Sequence, residues 1–301
     1  MTLLALLFAL LCERGLTHLM HLREWRWLDP YFDAADRALG ARSGAVAGFV
    51  ALLLIALPVV PIAAFSQWLG GRLIGLPQFA FAMMVLLLSF GPRDLKDEVD
   101  DYVGALEGHD RDEVLRRGKE LLESSPMAHG INAREAIEEA IFIQANNRIF
   151  GVVLWFVVLG PAGAWAYRIS DMLRRRAAFE AARQGVPRAR GDLGSQLALI
   201  HGLLAWIPAR LAALSYALAG SLEDAVGNWR VAVDRASTGL LDRAEDLLAR
   251  VGKASLQPSL VGVPPEQIDV ATGRGAWRIV SRSLWIWVAG IALLVLTGVV
   301  D

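Results

Sequence analysis

One stretch of this sequence constrains the fold more than any other, because within it a charged segment becomes a long uncharged one. Residues 132–148 carry mixed charges, whereas the run from Ile149 to Trp165 carries none. That run is close to the length that a helix needs to cross the hydrocarbon core of a bilayer. Asn132 and Glu135 have the spacing of a capping box, which predicts a helix start. The sequence therefore predicts one helix over 132–172 that begins in water and enters a membrane.

Polar side chains mark the point where the charge disappears. Asn146, Asn147 and Arg148 directly precede the apolar run, and Glu139 lies shortly before them. A charged residue at membrane depth is costly and is retained where a partner or a function requires it. Asn146, Arg148 and Glu139 are therefore predicted as ligand-binding candidates.

The apolar run contains Gly160, Pro161 and Gly163 in quick succession. Proline removes a backbone donor and clashes with the preceding turn, so these residues predict a structural break within the membrane-embedded helix.

A second apolar segment, 197–219, has a similar character. Pro208 is predicted to break it, and His201 and Arg210 lie within it. Broken apolar segments with polar residues are typical of a buried polar cavity, so His201 and Arg210 join the ligand-binding candidates. We expect Arg210 to lie near Asn146 and Arg148.

The whole-chain composition supports a membrane protein. The chain has 301 residues, of which 55% are hydrophobic and 20% are charged, and its mean hydropathy is +0.42. Long uncharged blocks alternate with blocks of mixed charge, a pattern typical of membrane spans and the loops between them. The sequence predicts an all-α, polytopic inner-membrane protein with about four to six embedded segments, some of them broken by Pro or Gly.

We interpret residues 1–301 as a single domain built from consecutive segments. These are a transmembrane hairpin at 44–65 and 74–90, a cytoplasmic layer of amphipathic helices at 92–131, the central helix and broken span at 132–172, the broken segment at 197–219, an amphipathic helix at 221–251 and a last span at 277–300.

The orientation follows from basic residues near the membrane ends. Arginines 14, 42, 93 and 134 are predicted to face the cytoplasm, since positive charges accumulate on that side. The Arg-rich loop at 174–190 conflicts with that rule if the preceding run crosses the membrane completely. The topology of the second half therefore stays open at this point.

Several kinds of partner are not expected. A formal net charge of −1 argues against nucleic acid, and a single cysteine, Cys12, excludes an intramolecular disulfide. The acidic run of Asp97, Glu98, Asp100 and Asp101 is interpreted as a solvated helix face rather than a magnesium site. His18 and His21 are interpreted as interfacial polar residues. No catalytic residue, metal ion or cofactor is predicted.

Four segments carry a resemblance to a known family. The opening MTLLALLFALLCERG, the GPRDL after the hairpin, the block NNRIFGVVLWFVVLGPAGAWAYR and the segment LAWIPARLAALSYALAG resemble the AmpE family. That resemblance implies an inner-membrane protein linked to the regulation of β-lactamase induction. The same superfamily includes the CobD/CbiB adenosylcobinamide-phosphate synthases of cobalamin assembly.

Departures from the synthase pattern favour the AmpE branch. The synthases carry a Glu-Asn pair followed by Asp where this chain has Gln144, Ala145 and Arg148. They carry paired Asp residues where this chain has His201 and Gly202. A nucleotide-dependent ligase needs acidic groups to hold magnesium, so these replacements weigh against synthase activity.

Three hypotheses for the function follow. The first is an AmpE-like modulator that senses or relays cell-wall status, with the lipid bilayer and a membrane or cytoplasmic signalling protein as partners. The second is an amide-forming synthase of cobalamin biosynthesis. The third is a small transporter, suggested by the broken apolar segments alone.

Overall fold

The computed structural model describes residues 30–31, 33–34, 44–70, 75–90, 94–122, 133–184, 192–234 and 239–298. Within these ranges the regular structure is helical, without a strand. The predictions for Cys12, His18, His21 and the cap residue Asn132 lie outside the described residues, as do the side chains of arginines 14, 42, 93 and 134.

Ten α-helices follow one another along the described chain. They are α1 (Ala45–Gly70), α2 (Leu76–Ser89), α3 (Leu95–Glu107), α4 (Arg111–Leu122), α5 (Ala133–Ala145), α6 (Gly151–Gln184), α7 (Leu193–Ala219), α8 (Leu222–Asp234), α9 (Leu240–Leu256) and α10 (Ile268–Leu296). A π-helical turn, Asn146–Phe150, links α5 to α6, and two short 3₁₀ turns, Gln257–Leu260 and Pro265–Gln267, precede α10.

Four described stretches are long and apolar enough to cross a membrane: Ala45–Gly70, Glu135–Ala182, Leu193–Ala219 and Pro265–Leu296. The shorter α2 is also apolar. Large apolar side chains such as Leu57 and Trp285 are exposed on these helices. Water-soluble proteins rarely expose contiguous apolar surface on this scale, whereas lipid covers it readily. The chain is an all-α, polytopic membrane protein, as the sequence predicted.

The structure forms two compact units. The first comprises residues 1–92, 151–204 and 295–301, and the second comprises 93–150 and 205–294. The prediction that residues 1–301 form a single domain stays a prediction.

In the first unit, α1 and α2 contact each other and both contact α6. Their shared core is apolar and contains Ala51, Leu54, Val85, Trp165 and Ile169. The two apolar helices thus pack together, and their assignment as a transmembrane hairpin stays a prediction.

In the second unit, α5 contacts α3, α4 and α9. Asp94 caps α3 by accepting a hydrogen bond from the Lys96 amide at 3.0 Å, and Asp110 accepts from the amide of Glu113 at 3.1 Å at the start of α4. Each helix turns an apolar stripe inward, for example Val99 and Leu121. Helices α3 and α4 are thus capped and amphipathic, and the cytoplasmic layer expected over 92–131 stays a prediction.

The break predicted at Gly160 is present, because Gly160 adopts φ 68° and ψ −155° inside α6. This conformation is essentially restricted to glycine. The break predicted at Pro208 was wrong, since α7 continues through that residue. A long helix stabilised by packing can absorb the loss of one backbone donor.

Three predicted boundaries also need correction. The single helix expected over 221–251 is a pair, α8 and α9, that pack against each other. The segment Ser237-Thr238-Gly239 has low helix propensity, and Gly239 is extended, with φ −135° and ψ 157°. The last helix begins at Ile268 rather than Trp277. Finally, α6 continues to Gln184, so Arg174 lies on a helix and not in a loop.

Candidate functional site

The π-helical turn lies where the sequence changes from charged to apolar. Its five residues, Asn146–Phe150, are all buried. An α-helix rarely adopts a π turn, and such turns often occur at functional sites because they displace side chains from the regular helical register. The turn ends directly before Gly151, where the apolar helix α6 begins.

Arg148 extends from this turn, within the second unit, and binds Glu98 of α3. Its Nη1 lies 2.9 Å from Oε2 of Glu98, and the two side chains are 1% and 5% exposed. Its Nε also donates to Oε1 of Gln144 at 3.2 Å. The cost of burying the guanidinium is therefore offset by a carboxylate and an amide, and losing either charge would leave the other unpaired in a dry site.

The interpretation of the acidic run at 97–101 as a solvated helix face was wrong for Glu98, which is buried. Asp100 is exposed, as expected, and it forms an ion pair with Lys96 one turn away. Glu98 faces the opposite way and is buried. Asp97 is half-buried, and desolvation, followed by the nearby charge of Asp94, raises the pKa of its carboxyl above the usual value.

Aromatic rings surround the π turn in the second unit. The ring centroid of Phe150 lies 5.8 Å from that of Tyr216 and 5.2 Å from that of Trp287. The Tyr216 hydroxyl donates to the backbone carbonyl of Phe142 at 2.9 Å. These contacts hold the turn in a packed environment, which favours one defined position for Arg148.

Glu139 lines a cavity of about 480 Å³ on the same unit. Lys253 of α9 donates to its carboxylate at 3.1 Å. Arg250 and Asp246, also on α9, form an ion pair at 2.8 Å within the lining. The volume is suitable for a small ligand, and the charged lining favours a polar one.

His201 and Arg210 lie in different environments along α7. His201 is fully buried in the first unit, where its Nδ1 lies 3.0 Å from the Ser170 hydroxyl and its Nε2 lies 3.7 Å from the Asp171 carboxylate. Arg210 is half-exposed, and its guanidinium carbon lies 4.0 Å from the centroid of the Trp206 ring. Its proximity to Asn146 and Arg148 stays a prediction.

Sequence reasoning missed several charged residues. Glu98 is 50 positions from Arg148, so no local spacing could have paired them. In contrast, a second group of charged residues could have been found from the sequence, because its spacing of i, i+3, i+6 and i+7 predicts salt bridges on one helix face. These residues are Arg168, Asp171, Arg174 and Arg175. Among the described residues, no three His, Cys, Asp or Glu side chains converge closely enough to hold a metal ion.

Comparisons with known proteins identify the family of this chain. A sequence profile described as "Regulatory signalling modulator protein AmpE" matches residues 1–300. Two similar proteins are both named "Cobalamin biosynthesis protein CobD". That of Stutzerimonas stutzeri (strain A1501) is 32% identical over 186 residues, which make up 61% of this chain and 57% of that protein. That of Chromobacterium violaceum is 26% identical over 263 residues, or 82% of this chain and 80% of that protein. No solved structure matches the chain. Because the AmpE profile covers almost the whole sequence, the chain belongs to the AmpE family.

Proposed function

We propose that this protein is a regulatory modulator of the bacterial inner membrane that adjusts β-lactamase induction to the state of the cell wall. The observation that carries the proposal is the buried ion pair between Glu98 and Arg148. It joins α3, an amphipathic helix, to a π turn that leads directly into an apolar helix.

Such a linkage suits a relay between the aqueous layer and the membrane. A π turn contains one residue more than an α-helical turn, so it can move along a helix when its supporting contacts change. A partner that pulls α3 away from α5 must break or move the Glu98–Arg148 pair. That change would alter the register of the residues leading into α6. A two-state element of this kind is what a signalling transition requires.

Deleting the gene tests this function. In a host with inducible β-lactamase, deletion should shift the dependence of β-lactamase activity on inducer concentration, and the wild-type chain should restore the original curve. Immunoblots of membrane fractions establish equal amounts of protein. A curve that deletion leaves unchanged would contradict the proposal.

The rival proposal is a synthase of cobalamin biosynthesis, which the names of the two CobD relatives support. Its carboxylates would have to come from residues such as Glu139 in the 480 Å³ cavity. Among the described residues, the carboxylates do not converge as a metal site would require. A cobalamin auxotroph that lacks its own synthase separates the two proposals. Growth restored by the wild-type chain and abolished by Glu139→Gln would favour the synthase, whereas no growth from membrane-inserted protein would favour the modulator.

A further inference from the structure

Helix α8 turns its small apolar side chains inward and its large ones outward. Ala225 and Ala232 are buried in the core of the second unit, where α8 packs on α9. Leu222, Val226 and Val233 are 50%, 44% and 59% exposed. A helix surrounded by water normally buries its largest apolar residues, so α8 presents an apolar surface that calls for a further contact.

The large side chains of α8 form one continuous stripe. Leu222, Val226, Trp229 and Val233 recur at i, i+4, i+7 and i+11, a spacing that places them on a single face of an α-helix. Trp229 lies at the edge of this face, where it is partly buried against the core. These four residues are called the α8 stripe, and they extend from the first residue of the helix to the last but one.

Contacts between α7 and α10 place the start of α8 at the level where the uncharged part of α10 begins. Nη1 of Arg282 donates to the backbone carbonyl of Ala219, the last residue of α7, at 3.4 Å. Further along α10, Nε1 of Trp287 donates to the Ser215 hydroxyl at 3.2 Å, so the two helices run antiparallel. Residues 283–300 carry no charge, and an arginine directly before such a run is typical of the membrane surface.

The α8 stripe follows an apolar surface that α7 exposes within the same unit. Leu211, Leu214 and Leu218 are exposed on α7, which is long and apolar enough to cross a membrane. Leu222 follows Leu218 four positions later. On α10, Trp285 is exposed shortly after the membrane-surface arginine, at the position that tryptophans prefer in a bilayer. The surface that lipid covers on α7 therefore leads directly to the α8 stripe.

We infer that α8 is an interfacial helix, with its axis along the membrane surface and the α8 stripe inserted into the lipid bilayer. Because the stripe spans nearly the whole helix, both ends of α8 must lie at the same depth for all four side chains to reach lipid. A helix of this kind buries its apolar face roughly 5–10 Å into the boundary between headgroups and acyl chains. This contact goes beyond the proposed regulatory function and does not depend on it.

The charges of α8 predict which lipids it requires. Glu223, Asp224 and Asp234 outnumber Arg230, so the helix carries an excess of negative charge. Anionic headgroups do not attract such a helix. Insertion is therefore driven by the burial of apolar surface, and a bilayer of neutral phosphatidylcholine suffices for it.

The test measures the depth of single residues of α8 in full-length protein reconstituted into phosphatidylcholine vesicles. Cys12→Ala removes the single cysteine of the chain, and Val226→Cys or Gly227→Cys then carries a nitroxide spin label. Gly227 is the matched control, because it is adjacent and exposed, and a Cβ added there meets no atom within 4 Å. The ratio of nitroxide collisions with oxygen to those with a water-soluble nickel complex should be at least about threefold higher at 226 than at 227.

Adding phosphatidylglycerol to the vesicles should leave this difference unchanged. If a labelled variant misfolds, as judged by circular dichroism, Leu222→Cys and Glu223→Cys replace the pair, since they are also adjacent and differ in the same way. Equal collision ratios at the stripe and control positions would overturn the inference, as would a difference that requires phosphatidylglycerol. It would also be overturned if the cysteine introduced at position 226 resisted a water-soluble maleimide in native membranes but not in vesicles, a result that would assign the stripe to a protein partner.

Discussion

Breaking the Glu98–Arg148 pair from one side should be among the most destabilising changes of polar residues in this protein. At an N–O separation of 2.9 Å and an effective dielectric constant of ~20, the Coulomb attraction is roughly 6 kcal/mol before desolvation is counted. Glu98→Gln leaves the Arg148 guanidinium buried without its counter-charge. From comparable buried pairs, we expect the free energy of unfolding to fall by about 3–5 kcal/mol.

A double-mutant cycle separates the pair from general effects of substitution. Arg148→Met should also destabilise, but Glu98→Gln combined with Arg148→Met removes both charges. The double variant should therefore recover about 1–3 kcal/mol relative to the sum of the single changes. The assay is equilibrium unfolding in mixed micelles, followed by circular dichroism.

Asp100→Asn is the matched control, because Asp100 lies on the same helix and forms an exposed pair with Lys96. It should change the unfolding free energy by less than about 1 kcal/mol. Two outcomes would refute the assignment of a buried, coupled pair. In the first, the effects of the two single changes on the free energy of unfolding are additive; in the second, Glu98→Gln lowers that free energy no more than Asp100→Asn does.

Further predictions can be checked in the same unfolding assay. Gly252→Ala should destabilise by about 1–3 kcal/mol, because its new methyl group would lie 2.3 Å from the Phe142 ring. Gly227→Ala, whose methyl group meets no atom within 4 Å, should instead stabilise by up to about 1 kcal/mol through helix propensity. Gly160→Ala should cost about 1–3 kcal/mol, since φ 68° strains any residue with a side chain. Tyr216→Phe should cost about 1 kcal/mol through loss of its hydrogen bond to the carbonyl of residue 142. A Gly252→Ala variant that is more stable than the wild type, or a Gly227→Ala variant that is less stable, would contradict the packing described above. An unchanged free energy of unfolding for Gly160→Ala or Tyr216→Phe would contradict it as well.

The sequence predicted those features that depend on local spacing. Uncharged runs of sufficient length predicted the membrane helices. The polar residues from Asn146 to Arg148 also marked the position at which the charged helix gives way to the apolar one. Each of these signals lies within about one turn of the feature it predicts.

Features that depend on tertiary contacts could not be predicted in this way. Glu98 was grouped with Asp100 because both lie in one acidic run, yet only a partner distant in sequence distinguishes the buried carboxylate from the exposed one. Proline at 208 was expected to break a helix that packing preserves. The cavity beside Glu139 likewise requires α9, which begins about a hundred residues later.

The relay itself is tested by β-lactamase induction in a deletion strain that carries single-residue variants at matched membrane levels. Glu98→Gln and Arg148→Met should each shift the induction curve toward that of the deletion strain, whereas Asp100→Asn should reproduce the wild-type curve. Wild-type induction from both the Glu98 and Arg148 variants, at normal membrane abundance, would contradict a signalling role for the buried pair.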